Sequence, residues 1–421
     1  MKDLTKGYPA KVIILFAIPM IFGSIFQQLY NIADSKIVST FVGTEAFAAV
    51  GATSVVSNTL IGFLNSLTLG FAIPIANSFG GKDYKRMRRM VAGTVLLTLA
   101  GAVVLTVLIL LLIPAILKLL ATPEDIMSPA LAYVRIILYV SVYNMCANVL
   151  RAVGDSRTPL YCLIISVFVN IGLDLLFVNG FHMGIQGAAW ATIISQALSA
   201  VLCLGYILLK FRDIIPEKDE WKPVEGQYSE LLTTGLAMGF MSLVVNFGTI
   251  VLQGAINGLG TAIVAAHTAA RKVFDIFTVS LYCLGNAMTT FVSQNMGAGE
   301  PARIRRGIRH AVVIATGITT VLVIICFAFG RPVFTWLAST DNPTIVDSAV
   351  MYSRISIVFF YVLGPLFILR CSLQGMGRKV IPVCSSVVEM TIKVLSATIL
   401  VPRLAYFGVA LTEPISWVCM T

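Results

Sequence analysis

The chain has 421 residues, of which 57% are hydrophobic and only 12% charged, with a mean hydropathy of +0.90. A soluble protein carries about twice that charged fraction, so a water-exposed globular surface is excluded and lipid is the expected solvent. The net charge of +10 raises nucleic acid as a partner, and the placement of the basic residues excludes it.

Apolar runs long enough to cross a bilayer, about 20 residues each, recur along the whole chain. They give twelve expected spans at 11–36, 46–79, 88–118, 126–151, 158–179, 186–210, 229–256, 261–296, 305–330, 344–371, 377–401 and 407–421. The first run continues past the length of a signal-peptide core and has no cleavage site, so it is read as retained. Within it, Gln27, Asn31 and Asp34 fall at i, i+4 and i+7 and share one helical face. The second span ends in FGGKDYKRMRR (79–89), a glycine turn followed by basic residues. Tyr139, Asn144 and Asn148 lie in the fourth, the two asparagines at i, i+4. The fifth holds Asn170 and Asp174 at the same spacing in the otherwise apolar SVFVNIGLDLLFVNG (166–180), and the sixth holds Thr192.

Residues 210–230, KFRDIIPEKDEWKPVEGQYSE, are charged, contain Pro216 and Pro223, and read as a linker. Beyond it, the eighth span contains HTAARKVFD (267–275), with Arg271, Lys272 and Asp275, and the eleventh contains VVEMTIK (387–393), with Glu389 and Lys393. Glu389 with Lys393, and Lys272 with Asp275, are spaced to neutralise one another on a helix. Alternatively they line a central cavity and meet a substrate. Pro19, Pro74 and Pro365 are expected to bend their spans. The last span stops at Thr421 with no basic cap, as a truncated chain would. The eight cysteines and three histidines are scattered without metal-ligand or disulfide spacing.

The basic residues fall in alternate loops. Lys2, Lys6 and Lys11 precede the first span; Lys82, Lys85, Arg86, Arg88 and Arg89 follow the second; Arg151 and Arg157 follow the fourth. The same holds for Lys210, Arg212, Lys218 and Lys222 after the sixth, Arg303, Arg305, Arg306 and Arg309 after the eighth, and Arg370, Arg378 and Lys379 after the tenth. This positive-inside pattern sets the amino terminus of a multi-pass membrane protein in the cytoplasm, and the plasma (inner) membrane is its expected location.

The chain also repeats itself. VGTEAFAAV (42–50) matches LGTAIVAAH (259–267), and FGGKDYKRMRR matches MGAGEPARIRR (296–306). AYVRI (132–136) matches MYSRI (351–355), VGDSRTP (153–159) matches MGRKVIP (376–382), and GAAWATIIS (187–195) matches GVALTEPIS (408–416). All five run in the same order at offsets of 217 to 223. The expected fold is therefore an all-α integral membrane protein, with twelve transmembrane helices as two pseudo-symmetric six-helix bundles, an amino-terminal lobe at 1–215 and a carboxyl-terminal lobe at 216–421. Parallel repeats of this kind are a device of secondary transporters.

The span-1 pattern NIADSKIVSTFVGTEAFAAVGA (31–52), the turn at 80–89, its counterpart FVSQNMGAGEPARIRRG (291–307) and LRAVGDSRTP (150–159) together resemble the multidrug and toxic compound extrusion (MATE) transporters. These belong to the multidrug/oligosaccharidyl-lipid/polysaccharide flippase superfamily, and the chain is most similar to bacterial DinF-like members. The resemblance implies a coupling aspartate on span 1, an Asn-x-x-x-Asp on span 5 and a threonine on span 6, the positions of Asp34, Asn170, Asp174 and Thr192. Gln27 matches less closely, and Asn144, Asn148 and Tyr139 only by neighbourhood. Acids carried by the sodium-coupled branch on spans 7 and 10 are missing from 231–256 and 348–369.

The expected function is a cation-coupled antiporter. A proton or sodium ion taken up at Asp34 and Asp174 is exchanged for a small amphipathic, cationic organic solute by alternating access. The alternative is a flippase or exporter of lipid-linked or other amphipathic lipids, which Arg271, Lys272 and Lys393 keep open. No H-E-x-x-H, G-x-S-x-G or G-x-x-x-x-G-K-[ST] motif occurs, so no enzyme and no cofactor beyond the coupling ion is expected. The lipid bilayer is the expected partner and a monomer the expected state.

Overall fold

A computed structural model describes residues 3–41, 44–119, 137–222, 224–338 and 342–421. Inside the helices, some side chains lie outside the described residues, those of Asp34 and Tyr139 among them. Every regular element among the described residues is helical. The helices are α1 (Pro9–Phe41), α2 (Thr44–Gly80), α3 (Tyr84–Leu119), α4 (Ile137–Ala152), α5 (Arg157–Asp174), α6 (Gly184–Lys210), α7 (Gln227–Asn257) and α8 (Thr261–Gly297). They continue with α9 (Pro301–Ala338), α10 (Pro343–Val358), α11 (Phe360–Gly375), α12 (Val380–Leu395), α13 (Val401–Leu404) and α14 (Tyr406–Met420). In lipid a helix satisfies every backbone group internally, and sequences this apolar have no alternative.

Nine described helices are long and apolar enough to span a bilayer, and ten if α10 and α11 count as one span bent by 51°. Of the twelve expected spans, that leaves the fourth, where residues 126–136 lie outside the described residues, and the last, a helix of 15 residues. The bend falls at Phe359, ahead of Pro365, whereas α1 and α2 each run on through Pro19 and Pro74 as one helix. The surface is apolar where a soluble protein would be polar: Phe168, Val201, Leu209 and Val313 are all exposed.

The chain forms two compact units. The first comprises residues 1–5, 18–239 and 297–299, and the second residues 6–17, 240–296 and 300–421. In the first, α2 packs on α3 and α4, α4 on α6, and α5 on α6, around a core that includes Leu64, Phe71, Ile75, Met87, Leu150 and Cys203. In the second, α9 packs on α10 and α11, and α14 on α10 and α12. Here an aromatic core forms: Phe274 stands edge-on to Phe360 at 5.4 Å and stacks on Trp417 at 6.1 Å, while Tyr352 stacks on Tyr406 at 6.1 Å.

The repeat is visible in how helices end. α4 and α11 close with the same pair of backbone bonds: Gly154 N–H to Arg151 and Asp155 N–H to Leu150 in one, Gly377 N–H to Gln374 and Arg378 N–H to Leu373 in the other. Gly154 and Gly377 take the left-handed conformation that this cap demands, at φ 85° and 76°. α2 closes in the same manner, but the left-handed residue is Lys82 at φ 58°, not Gly80 or Gly81; its counterpart in the repeat is Gly299 at φ 71°. Gly81 answers to crowding instead, because a Cβ there would stand 2.9 Å from the Gly297 carbonyl oxygen.

The linker lies on the basic start of α3. Glu220 caps the short 3-10 turn Lys218–Trp221 by accepting from the Glu217 N–H at 2.9 Å. Its two carboxylate oxygens also accept from Arg88 Nε at 2.7 Å and Nη2 at 2.8 Å. Next to it, Arg86 Nη2 donates to both oxygens of Glu230 at 2.9 Å, and Gln227 Nε2 donates to the Arg89 carbonyl at 2.6 Å.

Candidate functional site

The first unit encloses a carboxylate. Asp174, the last residue of α5, is completely buried, and Asn170 one turn earlier is buried with it. With the Asn170 amide oriented by its hydrogen bonds, Nδ2 donates to Asp174 Oδ2 at 2.8 Å and Oδ1 accepts from the Thr192 backbone N–H of α6 at 3.2 Å. The Thr192 hydroxyl lies 3.2 Å from the Tyr30 hydroxyl of α1. Three helices thus bring a carboxylate, an amide and two hydroxyls together. Immediately after Asp174 the helix widens to a π segment over Leu175–Gly180, with the Phe181 N–H reaching back to Leu176. Such widened turns are frequent at functional sites.

Asn170 and Asp174 meet as their i, i+4 spacing predicts, Thr192 meets them from α6, and Tyr30 joins them unannounced. Gln27 is half-buried and donates to the exposed Asn31 over a long 3.5 Å. Asp34 lies on the same helix α1, with its side chain outside the described residues. Asn148 is held elsewhere: its Nδ2 donates to Thr68 Oγ1 at 2.9 Å, and its Oδ1 accepts from Arg151 Nη1 at 3.0 Å. Asn144 is half-buried on the same helix, and Tyr139 lies outside the described side chains.

A second cluster belongs to the other unit. Lys393 Nζ on α12 donates to Glu389 Oε1 at 2.9 Å and to Thr249 Oγ1 of α7 at 3.2 Å, and stands 3.5 Å from Glu413 Oε1 of α14. Arg271 on α8 pairs with Asp275 at 3.0 Å and with Glu413 at 3.4 Å, and its guanidinium lies 4.7 Å from the Phe274 ring centre. From α11, Arg370 bonds Ser386 and stands 3.8 Å from Glu389. Glu389, Lys393 and Glu413 are buried, so each charge needs partners. Three cations and three carboxylates supply them. Glu389 and Lys393 pair as spaced. Asp275 pairs with Arg271 one helical turn before it rather than with Lys272, which is exposed. An i, i+4 guanidinium reaches along the helix face, whereas Lys272 points off it. Glu413 is the acid that spacing missed, although a lone carboxylate in an apolar span carries the same signal as Asp174.

Comparison with known proteins gives the family of the chain. The MatE family model matches residues 19–176 and 237–399, and the chain belongs to that family of membrane transporters. It is 27% identical to the probable multidrug resistance protein YpnP of Bacillus subtilis, over 89% of this chain and 84% of that one. It is 24% identical to the FAD transporter of Shewanella oneidensis, over 93% and 87%. Its fold matches a solved structure described as the outward-facing conformation of a multidrug resistance MATE family transporter of the MOP superfamily. The TM-score is 0.92, with 22% identity over 99% of this chain and 94% of that one.

Proposed function

We propose that the protein is a monomeric antiporter of the plasma membrane that exports amphipathic, cationic organic compounds in exchange for a proton or sodium ion. The observation that carries this reading is the enclosure of Asp174 with Asn170, Thr192 and Tyr30. A carboxylate shut away from water gains by taking up a cation, and amide and hydroxyl oxygens suit a small hard one. Asp34, on the same helix as Tyr30, is the second acid proposed for coupling. Occupancy alters the charge buried between α1, α5 and α6 and so biases one packing of these helices over another. The half-exposed Arg271 and Asp275 and the exposed Lys272 meet the solute, and Glu413 joins Arg271 to the buried Glu389–Lys393 pair. The names of relatives, multidrug resistance protein in Bacillus subtilis and multidrug export protein in Staphylococcus aureus, support the solute class. The Shewanella relative makes a flavin nucleotide the second solute to assay.

The test is efflux of a cationic dye from proteoliposomes under separately imposed proton and sodium gradients. Asp174→Asn is expected to lose gradient-driven efflux while eluting as a monodisperse protein. Efflux unchanged under both gradients would remove Asp174 from the coupling role.

A further inference from the structure

Lys393 stands in the second unit where Asn170 stands in the first. The match of 153–159 to 376–382, at an offset of 223, carries Asn170 onto Lys393, and the match of 187–195 to 408–416 carries Thr192 onto Glu413. The structure pairs the same positions at both places, through different atoms: Asn170 Oδ1 accepts from the Thr192 backbone N–H across α5 and α6, and the Lys393 ammonium stands against the Glu413 carboxylate across α12 and α14. A hydroxyl from the first helix of each repeat completes the set, Tyr30 on α1 and Thr249 on α7. So does a carboxylate one turn away, Asp174 after Asn170 and Glu389 before Lys393. In both units a π segment follows, Leu175–Gly180 and Ser396–Leu400. The two frameworks differ in their charges: the second already contains a cation, attached to the chain, and the Glu413 carboxylate stands where the first has Thr192.

We propose that the Lys393 ammonium is a tethered cation filling the second unit's counterpart of the ion pocket, so that this unit needs no ion from solution. The clause that only the first unit exchanges its cation rests on the antiport reading above; the tethering does not. The groups facing the ammonium are Thr249 from α7, Glu389 on its own helix and Glu413 from α14. Arg271 and Asp275 on α8 and Arg370 on α11 complete the charge balance, and His267 on α8 is held by the Tyr406 hydroxyl at 3.3 Å. Removing Lys393 leaves two cations against three carboxylates in a buried place. One sodium ion or one proton restores neutrality there, with Glu389, Glu413 and Thr249 oxygens as ligands.

The test is thermal unfolding of the purified full chain in detergent, with Asp174→Asn as the reference so that the first pocket is silent. Asp174→Asn/Lys393→Ala is expected to gain stability when sodium chloride replaces choline chloride, or on mild acidification. The expected rise in Tm over the reference is at least about 3 °C, and adding Glu413→Gln should abolish it. A double variant that responds no more than Asp174→Asn to either ion would overturn the proposal. If the double variant cannot be recovered, the triple variant with Glu413→Gln, which keeps the cluster neutral, decides. Its recovery at reference yield supports the charge argument, and its loss overturns it by making Lys393 a packing residue. Neither result depends on whether Asp174 carries the coupling ion.

Discussion

Glu220 shows how a single carboxylate ties the linker to the membrane domain. Only 4% of its side chain is exposed, and the Arg88 hydrogen bonds hold its carboxyl below the usual carboxylate range. A depressed folded pKa contributes stability that is complete above the unfolded value, about 4.3, and is lost as pH falls through the folded one. Glu220→Gln should therefore lower the stability of the purified protein by roughly 1–3 kcal/mol at neutral pH. That difference should shrink as unfolding curves are taken into the acid range below pH ~4; a gap constant over pH would assign the effect to the cap alone. The same logic of paired charge governs the buried cluster at Lys393, where no solvent is available to replace a lost partner. Spacing alone found Asn170, Asp174 and the Glu389–Lys393 pair because i, i+4 neighbours on one helix must meet. It missed Tyr30, since a tyrosine in an apolar helix reads as core until its hydroxyl finds Thr192. It also grouped Asn148 with the ion pocket, because periodicity fixes which residues share a face but not how that helix is rotated against its neighbours.

The helix ends show where the two repeats have diverged. Lys82 and Gly299 fill the same capping position, and a side chain in the left-handed region costs roughly 1 kcal/mol relative to glycine. Lys82→Gly should accordingly raise stability by roughly 1 kcal/mol without altering transport, whereas Gly377→Ala should lower it by a similar amount. Unfolding midpoints in detergent measure both, and a destabilised Lys82→Gly would show that its side chain does more than tolerate the turn. The sequence motif FGGKDYK pointed to a glycine turn, and the turn is there. Which residue takes the left-handed conformation was not readable, because two adjacent glycines and a lysine leave the register of the last helical turn open. The expected bend at Pro365 has a similar outcome: the break is real but sits at Phe359, where α11 restarts ahead of the proline.

For the molecule as a whole, hydropathy and the repeat carried most of the fold. Long apolar runs in lipid leave only the helix, and two copies of a sequence order leave little freedom in topology. The orientation predicted by the alternate basic loops is testable in intact cells lacking Cys384 and Cys419, the exposed native thiols. A membrane-impermeant maleimide should label Met183→Cys, in the loop before α6, and not Lys218→Cys in the linker; the reverse pattern would invert the protein. The solute was not legible, because recognition depends on which faces of separate helices share a cavity, and no single-helix pattern encodes that.

The π segments after α5 and α12 bear on the history of the chain. A π turn takes in one more residue than the α turn it replaces, and both halves carry such a turn at overlapping places in the repeat, close after their polar pair. An insertion present in both copies is most simply older than the duplication that made them. The residues that differ, Asn170 against Lys393 and Thr192 against Glu413, then changed afterwards. On that order the distorted helix is the older trait, and at each differing position at least one copy has changed since. Relatives should therefore keep the widened turn even where the charges around it have been exchanged.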